Sequence, residues 1–142
     1  MIYFDKVTKQ YGDTMALEEV TVSVAHKEFI SIVGHSGAGK TTLLKLLLAE
    51  ERPTGGSVFF ESIDINDLPN SALHHYRRKI GMVFQDFRLI PNKTAYENIA
   101  FPMREHTTLP EGLIRQLVLM KLNAVGLRGA YGLMPGDLSG GM

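Results

Sequence analysis

Eight consecutive residues carry the most specific chemistry in the chain: Gly34, His35, Ser36, Gly37, Ala38, Gly39, Lys40 and Thr41 satisfy the pattern G-x-x-x-x-G-K-[ST]. Glycines in this pattern let the backbone curl until successive N–H groups converge on phosphate oxygens. Lys40 would set a point charge on the β- and γ-phosphates of a nucleoside triphosphate, and Thr41 a hydroxyl on its Mg²⁺, with Thr42 extending the contact set. A plain glycine-rich turn would share the composition. It would not need a lysine and a hydroxyl directly behind the last glycine.

The flanking segments have the character such a loop requires. Phe29 to Val33 is a short apolar run that reads as a strand buried on both faces. Behind the loop, the sequence TTLLKLLLAEE predicts a helix from Lys40 until Pro53, Gly55 and Gly56 stop it. The amino end of that helix offers free amides and a dipole worth about 0.3–1 kcal/mol to an anion. Ile2 to Val7, Val20 to Val24 and Ser57 to Glu61 read as further strands, and Ile80 to Phe84 returns to β-type composition. Asn70 is placed to cap a helix over Ser71 to Lys79. A short helical segment spans Thr94 to Phe101 ahead of Pro102. Beyond Pro110, Leu113, Leu117, Met120 and Ala124, flanked by Ile114, Val118, Leu122 and Val125, form a wide apolar face at helical spacing that Gly126 ends. The first hundred residues therefore read as α/β and the remainder as helical.

Composition bounds the function. The 142 residues suit one domain with a real core and are short for two. With 44% hydrophobic and 21% charged residues the chain reads as globular, and a formal net charge of zero supplies no global pull toward nucleic acid or an anionic membrane. No cysteine is present, and the first residues lack the pattern of a secretory signal. Leu113 to Leu127 is interrupted by Arg115, Gln116, Lys121 and Asn123, so it falls short of the ~20 apolar residues that span a bilayer. The five histidines show no ligand spacing for a metal, and Arg77, Arg78 and Lys79 read as a solvated helix end, so no nucleic-acid partner is expected.

At the far end stand Leu138, Ser139, Gly140, Gly141 and Met142. A phosphate loop followed by LSGG in one chain resembles the ATP-binding cassette (ABC) ATPases, whose fold is the α/β P-loop type with a helical subdomain. That resemblance implies that Ser139, Gly140 and Gly141 cap the γ-phosphate held by a second copy, in a homodimer of the complete domain. It implies that Tyr11, in KQYGD, stacks on adenine. Gln85, in GMVFQD, falls where the family places the glutamine that senses Mg²⁺ and the attacking water and links to a membrane partner. Lys40 and Gln85 would thus be the catalytic residues, with Thr41 and Gln85 on the metal. A rival reading makes Ile80 to Phe84 a strand ending in a magnesium-binding Asp86. The interval of 54 positions from Gln85 to Ser139 holds a compact helical subdomain and no long coiled coil, which favours the transporter-like branch.

On this resemblance the chain is a partial nucleotide-binding domain, with residues 1–85 as the β and P-loop core and about 86–142 as the Q-loop and helical subdomain. Residues 1–101 resemble the FtsE-type cell-division ATPases and 102–142 the MlaF-type phospholipid-trafficking ATPases, implying two ancestries joined near Phe101 and Pro102. The first reading is FtsE-type division work with an FtsX-like membrane partner, and the alternative is MlaF-type lipid transport with an MlaE-like one. Either implies ATP and Mg²⁺ as ligands and a peripheral position on the cytoplasmic face of the inner membrane. The family's Walker B aspartate, catalytic glutamate and switch histidine lie past its signature motif, and Asp86 and Glu97 are poor substitutes for them. The 142 residues are therefore expected to bind ATP with slow turnover at most, and a non-catalytic nucleotide-binding module is the rival from another class.

Overall fold

The computed structural model describes residues 1–142, which form two compact units, 1–82 and 83–142. In the first unit, strands β1 (Ile2–Tyr11), β2 (Thr14–Val24), β3 (Gly55–Phe60) and β4 (Ile63–Asp64) make one antiparallel sheet in the order β2-β1-β3-β4. Helix α1 (Lys40–Leu47) follows the glycine loop and α2 (Asn70–Arg77) follows β4.

Two strong apolar residues of β1, Phe4 and Val7, are three positions apart, so a regular strand would send them to opposite faces. Both are nonetheless buried. An irregularity between them, with Lys6 at φ +46°, absorbs the odd spacing and turns Val7 to the same side as Phe4. Gly56 faces this irregularity: a Cβ there would lie 2.4 Å from the Asp5 carbonyl oxygen and 2.3 Å from that of Lys6, and its φ is +74°. Only glycine fits a backbone approach that close. Phe4 pairs with Val22 on one side and Val58 on the other, and these strands cover Leu43 and Leu46 of α1 together with Ile65 and Tyr76. Full burial of such a side chain contributes about 1.5–3 kcal/mol each.

Helix α1 is shorter than its sequence suggested, ending at Leu47. Its terminal carbonyls are met from α2: Tyr76 Oη donates to Leu47 O, Arg77 Nε to Leu48 O at 2.8 Å and Arg77 Nη2 to Ala49 O at 2.9 Å. Arg77 is therefore a helix-end partner rather than part of a solvated basic cluster. Lys79 pairs with Glu61 at 3.3 Å. Burial pushes the Tyr76 phenol well above its ordinary range. Asn70 does not cap α2; it is the first helical residue, and Pro69 occupies the cap position.

Two expected strands are not formed. Phe29 to Val33 pairs with no strand, with Phe29 92% and Val33 86% exposed. Ile80 to Phe84 is likewise unpaired, with Val83 exposed. A strand exists only through its ladder, and the chain supplies no neighbour to either run. The reading of Asp86 as a strand-end acid loses its premise with the second of them.

In the second unit, α3 (Ala95–His106) and α4 (Glu111–Ala124) pack around Ala100, Ile114, Val118 and Leu122. Thr94 caps α3 through Oγ1, which accepts from Glu97 N at 3.2 Å. The next free amides of that helix, Ala95 N and Tyr96 N, donate to Leu133 O at 2.8 Å and Tyr131 O at 2.9 Å. Helix α3 runs through Pro102 instead of stopping before it. The proline forfeits one internal bond, and the buried Ala100 face together with Arg104, which reaches Glu97 at 3.1 Å and Glu111 at 3.0 and 2.5 Å, holds the last turn in place. Gly126, at φ +77°, ends α4 as expected.

Candidate phosphate-binding site

The loop from Gly34 to Gly39 is curled by its glycines. Gly37 and Gly39 sit at φ +82° and +83°, a region costly to any residue with a Cβ. Gly39 is also packed against β2: a Cβ there would stand 2.5 Å from Ala16 O and 2.7 Å from Leu17 Cδ2. It is the cap of α1, and the first amide bonded inside the helix is Leu43 N, which donates to Gly39 O at 3.0 Å. The N–H groups of Lys40, Thr41 and Thr42 thus have no acceptor within the helix and face outward at its positive end. Lys40 Nζ turns back over the loop and donates to Gly34 O at 2.7 Å and His35 O at 2.6 Å. These bonds hold the curl and keep the ammonium at its mouth. Ser36, Gly37 and Thr41 are exposed, and His35 Nδ1 lies 2.7 Å from Ser36 O. Helix-start amides without an internal acceptor, a lysine and exposed hydroxyls form a setting for a polyphosphate.

Tyr11, at the end of β1, is brought to the flank of α1. Its hydroxyl donates to Glu51 Oε2, and the Thr42 hydroxyl also bears on it. Glu51 in turn meets Lys45 at 3.0 Å and Lys9 at 3.3 Å. The hydrogen bond from Tyr11, then that from Lys45, holds the Glu51 carboxyl down to about 2. Desolvation and the Glu51 contact raise the Tyr11 phenol. Neither Glu51 nor Lys9 was singled out from the sequence. They lie 40 and two positions from Tyr11, and no spacing rule connects a carboxylate behind a helix with a phenol at a strand end.

The remaining candidates belong to the second unit. Gln85 is exposed in the turn closed by Phe87 N donating to Phe84 O at 3.1 Å, with the Arg88 guanidinium 3.7 Å from the centre of the Phe84 ring. Asn98, which the sequence reading passed over, ties the segment behind this turn to α3: it accepts from Ile90 N at 2.7 Å and donates to Ile90 O, Lys93 O and Thr94 O at 2.9–3.1 Å. Ser139, Gly140 and Gly141 are exposed in a terminal turn, where Met142 N donates to Ser139 O at 2.8 Å. No group of three His, Asp or Glu side chains is arranged to hold a metal ion, and no helix is long and apolar enough to cross a membrane.

Comparison with known proteins gives these features a family. The intermembrane phospholipid transport system ATP-binding protein MlaF of Haemophilus influenzae is 46% identical over 142 residues, covering 100% of this chain and 54% of its own length. The cell division ATP-binding protein FtsE of Mycobacterium tuberculosis is 41% identical over 143 residues, covering 99% of this chain and 62% of its own. The chain thus spans little more than half the length of these curated relatives. A single MlaF relative matches across Phe101 and Pro102, so the shift of resemblance there does not require two ancestries. Among solved structures, the dimeric ATP-binding cassette MJ0796 in a post-hydrolysis state bound to ADP and Pi superimposes with a TM-score of 0.88 at 36% identity, over 99% of this chain and 64% of that one. The fold is that of part of an ABC ATPase cassette. The ABC transporter family matches residues 17–142, the glycine loop and the LSGG turn included, and this chain belongs to it.

Proposed function

We propose that this chain is the nucleotide-binding part of an ABC transporter ATP-binding subunit of the MlaF type, serving phospholipid transport. The Gly34–Thr41 loop, with left-handed glycines, unpaired amides at the start of α1 and Lys40 folded over it, supports nucleotide binding, and the 46% identity to an MlaF supports the type. ATP is the ligand, its β- and γ-phosphates on the loop and its base on Tyr11. Magnesium usually takes only one or two protein oxygens beside phosphate and water, and the exposed Thr41 hydroxyl at the start of α1 fits that modest demand. When bound, the ion would neutralise phosphate charge; a role for Gln85 at the metal rests on the family resemblance alone. Lys40 and Gln85 would serve hydrolysis, and Ser139, Gly140 and Gly141 would cap the γ-phosphate of a second copy. An MlaE-like permease would hold the subunit peripherally on the cytoplasmic face of the inner membrane. FtsE-type division work, which the sequence put first, becomes the second reading: the 41% match to an FtsE supports it, and the 46% match to an MlaF supports its rival more.

The test is a calorimetric titration with MgATP. Lys40→Ala removes a charged donor worth about 1.5–3 kcal/mol, so affinity should fall roughly ten- to hundredfold. Unchanged affinity would refute the phosphate site.

A further inference from the structure

Tyr11 projects from the end of β1 with 41% of its surface exposed, so packing alone does not fix its ring. Three contacts do. The backbone of β1, paired through Tyr11 with Thr14, anchors one end. At the other end the hydroxyl donates to Glu51. Over the ring stands Lys9 Nζ, 4.9 Å from the centroid, itself tethered to Arg52 O at 2.7 Å and to Glu51 at 3.3 Å. A tyrosine has two side-chain torsions, and pinning both ends of the ring removes both freedoms.

Glu51 is placed as carefully as the ring it holds. Behind α1 the chain folds back, so that Glu50 N and Glu51 N both donate to Lys45 O, at 2.9 and 3.4 Å. Lys45 Nζ then takes the other carboxylate oxygen at 3.0 Å. The carboxylate that orients Tyr11 is therefore tied, through Lys45, to the same helix whose amino end carries the phosphate loop. A cation over one face of an aromatic ring draws π density toward itself and leaves the opposite face electron-poorer, which suits stacking on an electron-rich purine.

We propose that Glu51 is a positioning residue for nucleotide binding: it holds Tyr11, backed by Lys9, as a preset platform for the purine base of a nucleotide whose phosphates lie on Gly34–Thr41. This rests on the phosphate-loop reading above. Glu51 touches neither base nor phosphate; it removes the ordering cost that a free ring would meet on binding.

The experiment compares MgATP with magnesium tripolyphosphate, which offers the phosphates and no base, by calorimetric titration of the protein and its variants. Tyr11→Ala should weaken ATP about five- to hundredfold, the range of one base–aromatic stack. Glu51→Ala should weaken ATP by about three- to tenfold through lost ring order. Tripolyphosphate affinity should stay the same in both, which also shows that the loop remains folded. Tyr11→Phe, which lacks the hydroxyl, should also weaken ATP, and adding Glu51→Ala to it should cost less than Glu51→Ala alone, because the shared hydroxyl bond is already gone and only the Lys9 tether is left to lose. Equal losses for ATP and tripolyphosphate would make Glu51 a structural support only and overturn the proposal, as would an unchanged ATP affinity or a fully additive loss in the Tyr11→Phe background. A protein that binds neither ligand would overturn the phosphate-loop reading and this inference with it.

Discussion

Replacing Gly39 and Gly37 by alanine, one at a time, separates two costs that the P-loop combines. Both glycines hold nearly the same left-handed conformation, φ +83° and +82°. Any residue with a Cβ pays about 1–2 kcal/mol for it. Their surroundings differ. A Cβ on Gly37 meets nothing within 4 Å, whereas one on Gly39 falls 2.5 Å from Ala16 O and 2.7 Å from Leu17 Cδ2. An ordinary carbon–oxygen approach is about 3.3 Å or more, so the overlap approaches 1 Å. Ala16 belongs to β2, a strand tied by its ladder to β1, and Leu17 is buried, so neither yields freely. Inserting a methyl into such a space costs a further ~1–3 kcal/mol. Gly37→Ala should therefore lower stability by about 1–2 kcal/mol and Gly39→Ala by about 2–5 kcal/mol, a large share of a typical 5–15 kcal/mol total. Urea unfolding followed by circular dichroism reads the difference as a midpoint gap on the order of 1 M. If the loop escapes the clash by moving, its amides leave their places and MgATP affinity falls instead. Equal midpoints for the two variants, with equal MgATP affinity, would refute the reasoning.

The Glu51 carboxyl, held at about 2 against an ordinary 4.5, contributes stability that is complete above 4.5 and is lost as pH falls through the window from 4.5 to about 2. Glu51→Gln should flatten the stability profile in that window, and urea midpoints collected across it would run parallel to the parent's if the Tyr11 and Lys45 contacts were idle. Ile114, 2% exposed against Val118 and Ala100, should cost the second unit about 2–5 kcal/mol when changed to alanine, seen as lost helical signal at lower urea; a loss under 1 kcal/mol would contradict the packing. Arg104→Ala removes a two-carboxylate clamp that is largely open to solvent, so the midpoint of thermal unfolding should shift only slightly, and less in high salt; a large loss would contradict its exposure.

What the sequence determined by itself was chemistry that depends on neighbours along the chain. The glycine positions, Lys40 and Thr41 were legible because a phosphate loop is built from consecutive backbone groups, and the structure gives Gly37 and Gly39 the conformation their type permits. The helix α4 was legible because helical periodicity is local, but its buried face is narrower than expected: Ile114, Val118 and Leu122 enter the second core, while Leu113, Met120, Ala124 and Val125 are exposed. Tertiary structure decided everything that needs a distant partner. Phe29 to Val33 has the composition of a strand and remains unpaired, since composition cannot supply a ladder. The irregularity at Lys6 is fixed by the demand that Phe4 and Val7 share one core, with Gly56 across from it. Pro102 was read as a stop because its missing N–H weakens any helix, yet α3 continues through it with Ala100 packed into the second core. Glu51 gained its partner only when α1 and the turn behind it brought a carboxylate to the end of β1, 40 residues away, a meeting that no local pattern encodes.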